Sequence, residues 1–99
     1  MKGVSRRLLG IALLAPLAAF AAEPESCGKV RFADVGWTDI TVTTAVTSEI
    51  LKALGYQPTT NMISVPVTYK SMQNKDIDVF LGNWMPSMAA DIKPYADNG

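Results

Sequence analysis

Residues 29–55 read KVRFADVGWTDITVTTAVTSEILKALG, and this stretch decides the fold. The first seven, KVRFADV, set Val30, Phe32 and Ala33 among polar neighbours, a strand pattern. Gly36 breaks the run. Thr38 or Asp39 is placed to cap a helix. Val42, Ala45, Val46, Ile50, Ala53 and Leu54 then recur on one face at helical spacing. Gly55 follows where a C-terminal cap belongs. Strand, glycine and helix in that order open a βα unit.

Working outward, the pattern repeats. Residues 61–67, NMISVPV, predict a second strand, with Pro66 at its end or on an edge. Residues 68–75 predict a short polar helix. Residues 76–82, DIDVFLG, predict a third strand, apolar enough to be covered on both faces. Pro86 opens a last helix reaching about Tyr95, because proline is tolerated in a first turn. Strands alternating with helices imply a parallel sheet with right-handed crossovers. In the 2-1-3 order the first and third strands are neighbours at a switch point. Ligands bind there, beyond the carboxyl ends of the strands.

Upstream, the chain carries an address. Lys2, Arg6 and Arg7 precede the apolar run LLGIALLAPLAAF at 8–20, and Ala19-Phe20-Ala21 matches a small-residue cleavage pattern. We therefore read 1–21 as a signal peptide, with export to an oxidising compartment, and 22–99 as the mature part. The run is short for a membrane span, which needs about 20 apolar residues. An uncleaved anchor is the alternative. Ser5-Arg6-Arg7-Leu8-Leu9 partly matches a twin-arginine signal, so the export route stays open. Lipid attachment at Cys27 does not fit, because Pro24-Glu25-Ser26 is not a small apolar set.

Composition excludes several function classes. The 99 residues are 48% hydrophobic and 18% charged, which is no disordered chain. Residues 23–99 hold six basic and nine acidic side chains, a net charge of −3, so a nucleic-acid partner is not expected. There is no His and one Cys, which removes imidazole catalysis and the common zinc sites. No glycine-rich phosphate loop and no nucleophile–base pair occur. The expectation is a binding protein, not an enzyme, with no cofactor and no metal.

Gly36-Trp37-Thr38-Asp39 ends the first strand and Gly82-Asn83-Trp84-Met85-Pro86 ends the third. The two tryptophans of the chain thus meet at the ligand edge. Two indole faces beside a carboxylate suit a quaternary ammonium, which donates no conventional N–H bond and is held by aromatic faces. Asp39 adds charge attraction and Asn83 a hydrogen bond. The residues alone leave alternatives open. Both Trp read also as packing, Asp39 as a helix cap, and Asn83 as a turn residue. Tyr69 and Tyr95 read as half-buried with wet hydroxyls, the five Met as core filler, and Asp76 and Asp78 as solvated strand-end charges.

VRFADVGWTDITVTTAV, LKALGY and SVPVTYKSMQNKDIDVFLGNWMPSM, taken together, resemble the periplasmic choline-binding proteins of ABC transporters, within the glycine betaine/choline substrate-binding family. GWTD with LGNWMP carries most of that resemblance. It implies a two-lobed fold closing on its ligand, with Trp37 and Trp84 as walls of an aromatic box. Asp39 is the polar contact beside them, and Asn83 carries over with less weight. It implies capture of choline or a related quaternary ammonium and delivery to a membrane permease. Glycine betaine or proline betaine binding, or a quaternary-amine sensing module, are the alternatives. An enzyme acting on choline is a more distant one. Proteins of the family are much longer. The expectation is the start of one lobe, with the second lobe absent and with a disulfide partner for Cys27 on chain beyond Gly99, as the resemblance implies.

Overall fold

The computed structural model describes residues 23–97; the signal-peptide reading of 1–21 and the cut before Ala22 lie outside the described residues. A 3-10 turn, Glu25–Gly28, leads into β1, Lys29–Asp34. Then follow α1, Thr38–Ala53; β2, Gln57–Met62; α2, Val65–Gln73; β3, Val79–Phe80; and α3, Ala89–Ala96. The sheet order is β2-β1-β3, and both pairings are parallel. This is the α/β arrangement that the alternation of elements predicts. Phe32 aligns with Thr60 on one side and Val79 on the other, and Ala33 with Asn61 and Phe80.

The ends of α1 follow from its sequence. Gly36 has φ +82, a conformation that glycine adopts without cost, and it turns the chain off β1. The helix then starts one residue earlier than the sequence suggests. Trp37 is its N-cap, in extended backbone, and no side chain caps it. Neither Thr38 nor Asp39 is the cap; Asp39 lies in the first turn, where a negative charge suits the helix dipole. At the other end Gly55, at φ +94, closes a Schellman motif: its N–H donates to the Lys52 carbonyl, and the Tyr56 N–H to the Leu51 carbonyl.

The buried side of α1 is not the apolar side. Ile40, Thr44 and Ser48 face inward, while Val42, Val46, Ile50 and Leu54 are more than half exposed. The helical period was legible and the face was opposite. Small hydroxyl residues let a helix lie close on a sheet, and hydrophobicity alone does not register that fit. The hydroxyls of Thr44 and Ser48 are buried without a hydrogen-bond partner.

Four further elements differ in their bounds from the sequence reading. The second strand is QPTTNM, not NMISVPV. Among the described residues it pairs with β1 alone, so its outer edge tolerates Pro58 and polar residues, and it carries little apolar signal. Val65-Pro66-Val67 instead opens α2, with Pro66 in the first turn. The third strand shrinks to Val79–Phe80, both half-buried, and not covered on both faces. Pro86 follows a cis peptide bond in a turn, and α3 begins only at Ala89.

The core is Phe32, Ala33, Ile40, Tyr69, Ile77 and Met88. Of the methionines, Met88 is core, whereas Met62 and Met85 are exposed. One ion pair locks β1 to the approach of β3. Arg31 Nε and Nη2 donate to the two Asp78 carboxylate oxygens at 3.0 and 2.8 Å. The Arg31 backbone N–H adds a third bond to Asp78 at 2.8 Å, and Nη2 reaches the Lys75 carbonyl at 2.7 Å. Asp78 is thus an exposed charge near the strand end, as the sequence suggests, and also a structural clamp. The Arg31 side chain and backbone N–H hold its carboxyl down from 3.8 to about 2.

Because the folded form holds this proton less tightly, the stability that Asp78 contributes is full above pH 4 and is lost as pH falls toward 2. Asp78→Asn should lower the melting temperature by a few degrees at neutral pH and flatten its decline between pH 4 and 2. Thermal melts by circular dichroism across that window measure both effects.

Candidate functional site

The candidate site is built from the two loops that leave the carboxyl ends of β1 and β3. In the first loop Asp34 is 3% exposed, and its Oδ1 accepts the Gly36 N–H at 2.8 Å. This short turn fixes the glycine and, next to it, Trp37. As an N-cap, Trp37 gives its carbonyl to the Thr41 N–H at 2.9 Å while its indole stays outside the helix. Asp39 follows on the exposed first turn of α1.

In the second loop the Trp84 N–H donates to the Gly82 carbonyl at 2.9 Å and also lies 3.3 Å from Met88 Sδ. The Trp84 carbonyl accepts the Met88 N–H at 2.8 Å. Gly82 is buried, and a Cβ on it would stand 2.8 Å from the Phe80 ring and 3.1 Å from Ile40 Cγ1. The loop therefore leaves the sheet through a gap that only glycine fits. Asn83 is exposed, but its Oδ1 is already engaged, accepting the Tyr69 hydroxyl at 2.7 Å.

The two loops bring the indoles together. The Trp37 and Trp84 ring centroids are 5.3 Å apart, tilted by 42°. The rings stay 37% and 48% exposed, so neither is a packing residue in the core. They form an open aromatic ledge. A hollow of about 570 Å³ lies behind the second loop, between α2 and α3, lined by Tyr69, Met72, Phe80, Asn83, Ile92 and Tyr95 but by neither Trp. The ledge and the hollow are separate features that share Asn83.

Residues 28–99 match the family described as the substrate-binding domain of ABC-type glycine betaine transport systems, OpuAC. The chain belongs to this family. It is also similar to an uncharacterized protein, ORF1, of Chromohalobacter salexigens, 53% identical over 102 residues that span all of this chain and 64% of that protein. Among solved structures it is similar to an ABC-transporter choline-binding protein in complex with choline, at 68% identity and a TM-score of 0.75. That match covers 77% of this chain and 26% of the other. The same kind of protein in an unliganded semi-closed conformation gives 68% identity and a TM-score of 0.69, over 75% and 26%. The chain thus spans about a quarter of those structures and under two thirds of ORF1. Its family binds solutes for transport and is not one of enzymes.

Of the residues singled out in the sequence, Trp37, Trp84 and Asn83 lie in the two loops at this sheet edge, and Asp39 in the first turn of α1 beside them. Cys27 does not: it is an exposed free thiol in the 3-10 turn before β1, at the opposite end of that strand. Among the described residues no cluster of three or more His, Cys, Asp or Glu could hold a metal ion. Sequence reasoning missed Asp34, although Asp-x-Gly at a strand end is a turn signal. It also missed Tyr69, whose hydroxyl is bonded and not wet and whose ring is buried.

Gly82→Ala should cost about 1–3 kcal/mol through overpacking against Phe80 and Ile40. Urea denaturation would show the loss as a lower midpoint at unchanged slope. Gly28→Ala, where a Cβ meets nothing within 4 Å, is the control.

Proposed function

We propose that this protein captures choline or a closely related quaternary ammonium compound for an ABC importer, with Trp37 and Trp84 as two walls of an aromatic box. One observation carries the reading: two half-exposed indoles 5.3 Å apart at the switch point of a parallel sheet. A trimethylammonium group offers no N–H donor, so its recognition relies on the negative faces of rings. The tilt of 42° gives the ledge two faces, not one flat stack. The choline complex of the 68% identical structure supports the same ligand class for this chain.

Asp39 sits two residues past Trp37 and supplies the negative charge beside the box. That charge favours choline, which carries a hydroxyl, and repels the carboxylate of a betaine. A betaine ligand is the second reading, favoured by the glycine betaine description of the matching family. Asn83 serves the site through its loop and, with less weight, through its side-chain amide N–H groups. Residues 1–21 act as a signal peptide, residues 22–99 form part of the first lobe of a protein that works in the periplasm, and a membrane permease receives the ligand. Cys27 pairs with a thiol outside the described residues. Membership in a transport family supports the permease and periplasm assignments.

Isothermal titration of the intact protein tests the reading. Choline should bind, and Trp37→Ala and Trp84→Ala should each weaken it about 2- to 30-fold, the range for one cation–π contact, with the fold retained. Asp39→Asn should narrow the preference for choline over betaine. Betaine binding as tightly as choline would move the assignment to the second reading. Unchanged affinity in both Trp variants would remove the box.

A further inference from the structure

The second tryptophan wall is held by a buried tyrosine. Tyr69 lies in α2, 5% exposed, with its hydroxyl 2.7 Å from Asn83 Oδ1 and 4.0 Å from Met88 Sδ. Its ring meets Phe80 of β3 edge-on at 5.8 Å and Tyr95 of α3 at 5.9 Å. Tyr69 therefore touches the strand before the Trp84 loop, the loop itself and the helix after it. Met88 in turn holds the Trp84 backbone from both sides, through its sulfur and its N–H.

From these contacts we propose that Tyr69 is a positioning residue for the ligand site, fixing Asn83 and Met88 so that Trp84 stands at its working distance from Trp37. As a ligand role it rests on the quaternary-ammonium reading above. Trp84 has an anchored backbone and an indole that is half exposed, and an exposed loop keeps that geometry only if something buried fixes it. Among the described residues, Tyr69 is the buried side chain that bonds Asn83, immediately before Trp84. Burial, with the nearby Asp91 charge, raises the Tyr69 hydroxyl above its usual 10, so it stays a donor through the neutral range. Asn83 then acts through its side-chain carbonyl as the receiver of that donor. This explains why an exposed asparagine precedes the tryptophan without requiring it to touch ligand.

The test needs a readout that general destabilisation does not move. Two indoles 5.3 Å apart couple their electronic transitions and give a paired band in the far-ultraviolet circular dichroism whose amplitude depends on their distance and tilt. In the intact protein, ligand-free, Tyr69→Phe should lose much of that amplitude while helix content is kept. Choline affinity should fall about five- to tenfold, as for one hydrogen bond. Asn83→Ala, at an exposed position, removes the acceptor and should lose the same amplitude; it decides the matter if Tyr69→Phe does not fold. Tyr95→Phe should keep it, because among the described residues the Tyr95 hydroxyl makes no bond to the loop. A paired band equal to wild type in both Tyr69→Phe and Asn83→Ala would overturn the proposal, whatever the melting temperatures. So would a wild type without the band. A wild type that shows the band but binds no quaternary ammonium would overturn the function and leave the positioning claim to the spectrum alone.

Discussion

β1 is hydrogen-bonded along both edges, and everything else in the fold hangs from that central strand. Phe32 and Ala33, its fully buried pair, lie in register with β2 on one side and β3 on the other. A parallel strand must be reached by a crossover, so pairing on both edges obliges the chain to send out α1 and α2 between strands. The loops that leave β1 and β3 then emerge side by side at the same sheet edge. The meeting of Trp37 and Trp84 is a consequence of strand order, not of sequence proximity.

Each loop is made rigid by a different device. The first uses a buried carboxylate: Asp34 accepts the Gly36 N–H and so fixes the residue before Trp37. The second uses a buried phenol and a thioether, Tyr69 and Met88, around the Trp84 backbone. In both cases the glycine supplies the shape, through positive φ at Gly36 and through close approach at Gly82. The anchored parts are backbone, while the indoles remain at the surface. That division suits a site that must be preorganised and still reachable.

The order of elements was legible because it rests on periodicity and on punctuation by Gly36 and Gly55. The parallel sheet followed from alternation, and its 2-1-3 order is the common arrangement for such a unit. The position of the Trp pair followed from the sheet rule. What was illegible rests on context. QPTTNM has no strand signal of its own, since β2 is stabilised by its partner and not by its propensity. The inward face of α1 is Ile40, Thr44 and Ser48, chosen by fit against the sheet and hidden from any count of apolar residues. The Tyr69–Asn83 bond joins residues 14 apart on different elements, and no local pattern records it. Arg31 and Asp78 were equally invisible as partners, being 47 residues apart.

That separation gives the clamp a second meaning, in time. Arg31 and Trp37 belong to the first βα unit, whereas Asp78 and Trp84 come after the second. Closing so long a loop is entropically slower than forming α1 or α2, because distant contacts return nothing until the chain ends have met. The threefold grip of Arg31 on Asp78, with the burial of Phe32 and Ile77, is among the contacts that reward that late encounter. Until β3 docks, Trp37 and Trp84 are not held together and there is no ledge. The ledge comes into being in the same step that docks β3 on β1, so it cannot exist on a chain whose sheet is incomplete.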